Sequence, residues 1–290
     1  KKRMKSLKKY FYIFLNLMGF NTLTKKQKRV LNRYKPNANK SLESVIFFTT
    51  HKAASNFTDE ILKQIEKNTE YTLFDYGALV GSLADKLNIK DDFENYLNKN
   101  SEFLFSQNGE IYGPQRRPLN FPNIDNYKKI FFLRDPRDVL VSAYYSFGYS
   151  HVEPDSKNLL ENFNKNRKLI QDQSIDEYVL KEVKNWIIPM YFEYKVLRES
   201  SKKECLYIKY NDFVDNTESV INNIFKFFDF KNEELIKSLS IDANPVSNTE
   251  NNEKHKRSGK NYQWKTHLTG RTQDQLNKEL NEVLDYWEFK

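Results

Sequence analysis

The stretch VIFFTTHKAASNFTDEILKQI, residues 45–65, constrains the chain more than any other. Val45-Ile46-Phe47-Phe48 is a short β-branched and aromatic run, of the length expected for a strand covered on both faces. Small residues follow at Ala53, Ala54 and Ser55. Phe57, Ile61, Leu62 and Ile65 then recur at helical spacing with Asp59, Glu60 and Lys63 between them. A strand that runs straight into a helix aims unpaired backbone N–H groups and a positive dipole end at whatever lies above the sheet. Lys52 adds a full charge there. Alone, the same pattern also describes an ordinary strand–loop–helix with a solvated lysine, so an anion site requires a second half elsewhere in the chain.

The remaining chain follows the same α/β grammar. Tyr71–Tyr76, Glu102–Ser106, Lys129–Leu133 and Cys205–Lys209 read as further strands, giving about five in all. Leu79–Leu97 is weakly helical, Ile175–Glu199 reads as a long helix, Thr217–Phe230 as a helix capped by Thr217, and Arg271–Trp287 as a closing helix. Residues 151–175 are polar and asparagine-rich with no firm period, and read as an insertion or lid. Pro114, Pro118 and Pro122 mark an irregular loop holding Arg116 and Arg117, and residues 244–262 read as a polar loop. Strands alternating with helices predict a central parallel sheet flanked by helices, with ligands above the carboxyl ends of the strands.

Charge separates two regions. Residues 1–40 hold 13 Lys and Arg and no acid, so the net +8 of the whole chain leaves the remainder at −5. A basic terminus on an acidic body argues against a nucleic-acid-binding fold, which needs its basic face on the domain. A rival reading, nucleic-acid binding through residues 1–40, predicts salt-steep affinity lost with that segment. The apolar run Tyr10–Phe20 is about eleven residues, short of the ~20 that span a bilayer. Lysine-flanked and aromatic, it suits an interfacial helix on an anionic membrane surface, or a helix packed on the domain. The expected organisation is a basic helical segment, 1–40, and a single domain, 41–290. The lone cysteine, Cys205, lies in a strand-like run and excludes an internal disulfide.

The second half of the site is sought after the strand Lys129–Leu133. RDPRDVLVSAYYSF follows without a gap and places Arg134 at the strand end and Ser142 about two helical turns on. A third basic cluster, Lys254, Lys256, Arg257 and Lys260 around Gly259, precedes Trp264-Lys265. Together these segments resemble the sulfotransferases that use 3′-phosphoadenosine 5′-phosphosulfate (PAPS). TTHKAASNF, Thr49 to Phe57, overlays the family's TYPKSGTTW. Arg134 to Phe147 matches RNPKDVLVSxYHF nearly residue for residue. Arg257, Gly259, Trp264, Lys265 and Thr269 match RKGxxGDWKNxFT in register. The first motif is loose and the second specific, and all three occur in order.

The resemblance implies a P-loop-like sulfotransferase fold and sulfuryl transfer from PAPS to a hydroxyl, less readily an amine, without a metal. It implies that Lys52 stabilises the leaving phosphate, with Ala53, Ala54, Ser55 and Asn56 cradling it and Phe57 in place of the family's adenine-stacking tryptophan. Arg134 and Ser142 are implied to hold the 3′-phosphate with Arg257, Ser258 and Gly259, and Tyr210 to lie near adenine. His51 replaces the family's proline and Ala53-Ala54 replace Ser-Gly, so this glycine-free loop is expected to avoid positive φ. The family's catalytic histidine has no counterpart, since its neighbourhood reads Glu110-Ile111-Tyr112. Asp75 is the preferred base and Glu110 the second, with His51 and His151 behind them.

Asn56-Phe57-Thr58 is a glycosylation sequon inside the expected site, where a glycan would block the donor. With no anchor legible, this favours a cytoplasmic enzyme, membrane-peripheral if residues 1–40 bind lipid. The acceptor, whether small molecule, carbohydrate or lipid, is not legible. Rival readings are a nucleotide- or membrane-binding protein that keeps the PAPS-like pocket without turnover, and a P-loop-like kinase, for which GxxxxGK[ST] is absent.

Overall fold

The structure is a computed structural model describing residues 41–75, 101, 105–153, 157–243 and 260–289. Five parallel strands form its sheet: β1 (Val45–Thr49), β2 (Thr72–Phe74), β3 (Glu110–Gln115), β4 (Lys128–Leu133) and β5 (Cys205–Lys209), in the spatial order β2-β3-β1-β4-β5. Helix α1 (Ser55–Asn68) leads from β1 toward β2, on the β3 side, whereas β4 lies on the other side of β1. The chain therefore leaves β1 and β4 in opposite directions. That opens a crevice at their carboxyl ends, where doubly wound sheets bind ligands.

Period-two alternation divides the core between the two faces. Val45 and Phe47 of β1 join Ile111, Ile130, Phe132 and Ile208 in one cluster, covered by Ile61, Leu62 and Ile65 of α1 and by Phe213, Ile221 and Phe225. Those last three come from α6 (Tyr210–Asp215) and α7 (Thr217–Phe227). On the opposite face Phe48 stacks on Phe131 at 5.4 Å and meets Tyr194 at 5.6 Å, while Trp287 lies 5.8 Å from Phe131. Tyr194 belongs to α5 (Ile188–Glu199), which continues from α4 (Ile175–Glu182) through a π-helical turn, Val183–Ile187.

The third strand differs from the sequence expectation. Residues 102–104 lie outside the described residues, and Phe105 and Ser106 are not strand. Phe105 donates its N–H to Ser101 and stacks its ring 4.1 Å from Phe121. The strand is EIYGPQ, Glu110–Gln115, buried throughout. Pro114 there predicts a loop, because proline cannot donate to a ladder and in a sheet belongs at edges or bulges. A bulge accommodates it: Ile46 pairs with Tyr112 but Phe48 with Gln115, so β3 spends one extra residue around Gly113 and Pro114. Gly113 is required by contact, since a Cβ there would lie 2.8 Å from both the Cβ and the carbonyl oxygen of Phe47.

Other corrections are local. The expected lid contains a 15-residue helix, α3 (Lys157–Gln171). Asn216, not Thr217, caps α7, its side chain accepting the Ser219 N–H at 3.0 Å, while the Thr217 hydroxyl donates back to Phe213. A further helix, α8 (Glu233–Ala243), follows. After the short α9 (Trp264–His267), the closing helix is two, α10 (Gly270–Glu279) and α11 (Asn281–Tyr286). The expected helix Leu79–Leu97 and the segment 1–40 lie outside the described residues. No described helix is long and apolar enough to cross a membrane.

The close approach at Gly113 yields a stability test. Gly113→Ala is expected to cost about 1–3 kcal/mol by overpacking β3 against the β1 backbone, read as a lower urea midpoint. An unchanged midpoint would show that the strands separate freely at the bulge.

Candidate active site

The loop between β1 and α1 carries Lys52. Its backbone is left-handed twice, at Lys52 (φ 66°) and at Ala54 (φ 50°, ψ 37°), contrary to the expectation that a glycine-free loop avoids positive φ. Each such residue costs about 1–2 kcal/mol, so surrounding bonds must impose the turn. Arg134 Nη1 donates to the Lys52 carbonyl at 2.8 Å, and the Ala54 carbonyl accepts from the N–H groups of Phe57 and Thr58 at 2.8 and 3.0 Å. From the sheet side, the Tyr194 hydroxyl donates to the Thr49 carbonyl at 2.9 Å. No side chain caps α1, whose cap position is Ala54, so the helix start points its dipole into the crevice uncapped.

Arg134 follows β4 directly and is almost wholly buried, 3% exposed. It lies over the Tyr210 ring at 4.6 Å, donates from Nη2 to the Lys260 carbonyl at 3.1 Å, and sits 3.8 Å from Asp138. Its Nε is buried without a hydrogen-bond partner among the described residues. The Tyr191 hydroxyl donates to its carbonyl. Tyr210 opens α6 against Phe132 and Phe213, and Phe57 packs 5.1 Å from Phe213. Both aromatic residues named from the sequence thus lie beside the loop and Arg134.

Helix α2 (Pro136–Tyr145) begins at once, its N-cap Asp135 accepting the Arg137 N–H at 2.9 Å. Residues 138, 142 and 145 share one face of it. On that face Asp138 accepts the N–H groups of Tyr262 (2.9 Å) and Trp264 (3.1 Å), and the Tyr145 hydroxyl meets His267 Nδ1 at 3.0 Å. Ser142 lies between them, half-buried, on the face that meets residues 262–267. Burial pushes the Asp138 carboxyl up to about 6, against the pull of Arg134 and the two amides. Arg137 braces the same region: it pairs with Asp135 at 2.6 Å, stacks 3.9 Å over Trp264 and donates to Asn277 and the Phe289 carbonyl. Beyond α2 a π-helical turn, Ser146–Ser150, brings Ser146 Oγ to 2.9 Å from Lys52 Nζ.

The structure thus gathers Lys52, Ala53, Ala54, Phe57, Arg134 and Tyr210 at one crevice. Ser55 and Asn56 form the first turn of α1. Arg257, Ser258 and Gly259 lie outside the described residues. Asp75 follows β2, at the carboxyl end of the sheet. Its charge reaches Lys63 of α1, whose pKa is raised first by a hydrogen bond from its own side chain to Asp59. Glu110 is not brought to the site. It opens β3 opposite Thr72, its N–H bonded to Ser44 Oγ and its carboxylate accepting from the Tyr112 hydroxyl, at the amino end of the sheet.

Sequence reasoning gave little weight to the groups around His51. Its imidazole stands edge-on to Trp186 at 6.4 Å, and burial lowers its pKa to about 4, assisted by Arg116, Arg117, Lys52 and His151. Arg116 and Arg117 lie in the loop expected from the sequence, as bends directly after β3, and the position of β3 brings that loop beside the end of β1.

The family model of the sulfotransferase domain matches residues 42–288. The chain belongs to the sulfotransferase family. The reaction of that domain is transfer of a sulfuryl group from PAPS to an acceptor. Among solved structures, mouse sulfotransferase SULT7A1 complexed with PAP is similar at a TM-score of 0.54 and 13% identity, over 83% of this chain and 84% of that one. Retinol dehydratase in complex with retinol and PAP gives a TM-score of 0.47 and 17% identity, over 89% and 86%. No curated protein matches the sequence. At these identities the structural likeness concerns the fold.

Asp138 supplies a test of how the sulfotransferase holds its third segment. Asp138→Asn can accept only one of the two amide N–H groups and turns a donor toward the other, at an expected cost of about 1–3 kcal/mol. Chemical denaturation, with amide exchange at Tyr262 and Trp264 faster than wild type, checks it.

Proposed function

We propose that the crevice above β1 and β4 binds PAPS and that the enzyme sulfates a hydroxyl group. The observation that carries this reading is the buried Arg134. It links the Lys52 loop, α2 and residue 260, and keeps one buried N–H without a partner among the described residues, beside an uncapped helix start. A cationic, donor-rich concavity of this kind fits phosphate and sulfate groups. Lys52 and the first turn of α1, Ala53–Asn56, are assigned to the 5′-phosphosulfate. Arg134 and Ser142, with Arg257, Ser258 and Gly259, are assigned to the 3′-phosphate, and Phe57 and Tyr210 to the base.

The acceptor oxygen attacks sulfur as the bond from sulfur to the phosphate oxygen breaks, and 3′-phosphoadenosine 5′-phosphate (PAP) leaves. Lys52, released from Ser146, stabilises the charge that grows on the departing oxygen. Anchoring the remote phosphate through Arg134 orients the donor for in-line attack. The acceptor proton is assigned to Asp75, the candidate carboxylate at the carboxyl end of the sheet. Residues 41–290 act as the single catalytic domain, with 1–40 a basic segment suited to an anionic membrane surface. Asn56, exposed on the first turn of α1, favours a compartment without glycosylation, such as the cytoplasm.

Calorimetry with PAP, using ATP as control, tests the reading. Wild type is expected to bind PAP and to discriminate against ATP, and Arg134→Gln to lose that binding while a melting curve reports its folding. Lys52→Ala is expected to keep PAP binding but to lose turnover by about a hundredfold or more. Equal affinity for PAP and ATP would overturn the assignment.

A further inference from the structure

The described arginines around the crevice fall into two groups. Arg134 and Arg137 are buried and paired with Asp138 and Asp135. Arg116 and Arg117 are exposed, and no carboxylate among the described residues pairs with either. They continue from Gln115, the last residue of β3, which stands opposite Phe48 of β1. Adjacent strands are about 4.8 Å apart, so the chain at Arg116 and Arg117 passes beside the end of β1, where Thr50 and His51 follow Thr49. The π-helical turn that carries Ser146 to Lys52 ends at His151, whose ring stacks on Phe163 at 6.2 Å. Trp186 forms an aromatic wall at His51.

The charged neighbours that weigh most on His51 are basic: Arg116, Arg117, Lys52 and His151. The field of Arg117 also reaches Tyr194, whose hydroxyl holds the end of β1. Like charges gathered side by side repel one another, and an anion bound among them relieves that repulsion. The nucleotide phosphates are assigned elsewhere, to the helix start, Arg134 and Ser142. Arg116 and Arg117 stand on the β3 side of Lys52, away from Arg134, which follows β4.

Resting on the sulfotransferase reading above, we propose that the acceptor itself carries an oxyanion, a carboxylate or a phosphate ester, received by Arg116 and Arg117 beside the hydroxyl to be sulfated. The two arginines are specificity-determining residues and take no part in proton transfer. They select for charge on the acceptor, and their contribution weakens with salt.

The test uses probe pairs that differ in charge, titrated into PAP-saturated protein at low salt: para-hydroxybenzoate against its methyl ester, and phenyl phosphate against phenol. At least one charged member is expected to bind about tenfold or more tighter than its neutral partner, a difference of about 1.4 kcal/mol, and the preferred pair identifies the oxyanion. In the Arg116→Gln/Arg117→Gln double variant the preference is expected to vanish, with PAP affinity and melting temperature unchanged. Equal binding within both pairs, no binding of either charged probe, or a preference that survives in the double variant would each overturn the proposal. Failure of the wild type to bind PAP would count against the nucleotide reading instead. The same pairs titrated into the protein alone would then decide the acceptor proposal by the same criteria.

Discussion

The site is built around the burial of one guanidinium. Arg134 is withdrawn from water at the end of β4, and its charge is tolerable only because carbonyl groups, a carboxylate and an aromatic face surround it. Each partner belongs to a different part of the chain. The Lys52 carbonyl fixes the loop after β1, Asp138 fixes α2, and the Lys260 carbonyl fixes the approach to Trp264. Asp138 then spends its two oxygens on the amides of Tyr262 and Trp264, so compensating one charge also positions the last segment.

This bracing explains how the loop after β1 persists in a conformation its residues disfavour. Lys52 and Ala54 are both left-handed without glycine, a strain that survives where neighbouring contacts over-determine the backbone. The consequence is functional: with alanine at the cap position, α1 starts uncapped at the mouth of the crevice. Paired arginines hold the architecture, and Arg116 and Arg117, which no carboxylate among the described residues pairs, remain exposed at its rim.

Much of the fold was legible where local pattern and tertiary environment agree. β1, β4 and β5 are short apolar runs, and the apolar period of α1 survives intact. β3 was misread because Gly113 and Pro114 are loop-forming by local chemistry. Only the close approach of Phe47, with the bulge that absorbs the extra residue, makes them acceptable in an interior strand. Once that strand moved, two other assignments changed. Glu110 became the amino end of a strand instead of a neighbour of the acceptor, and the loop holding Arg116 and Arg117 came to lie beside the end of β1. Helix α3 escaped notice because its amphipathic pattern is diluted by asparagine and lysine.

The sequence by itself determined the family, the order of the strand–loop–helix units and the basic and aromatic residues that gather at the crevice, because these depend on motifs a few residues long with local geometry. Tertiary structure decided which carboxylate lies at the carboxyl edge, which arginines are buried and paired, and which loop backbone is held at positive φ. Those properties depend on segments some eighty to one hundred and thirty residues apart meeting at one crevice, as Arg134 meets Lys52 and Lys260. Burial and charge compensation are set by such meetings, and no local pattern encodes them.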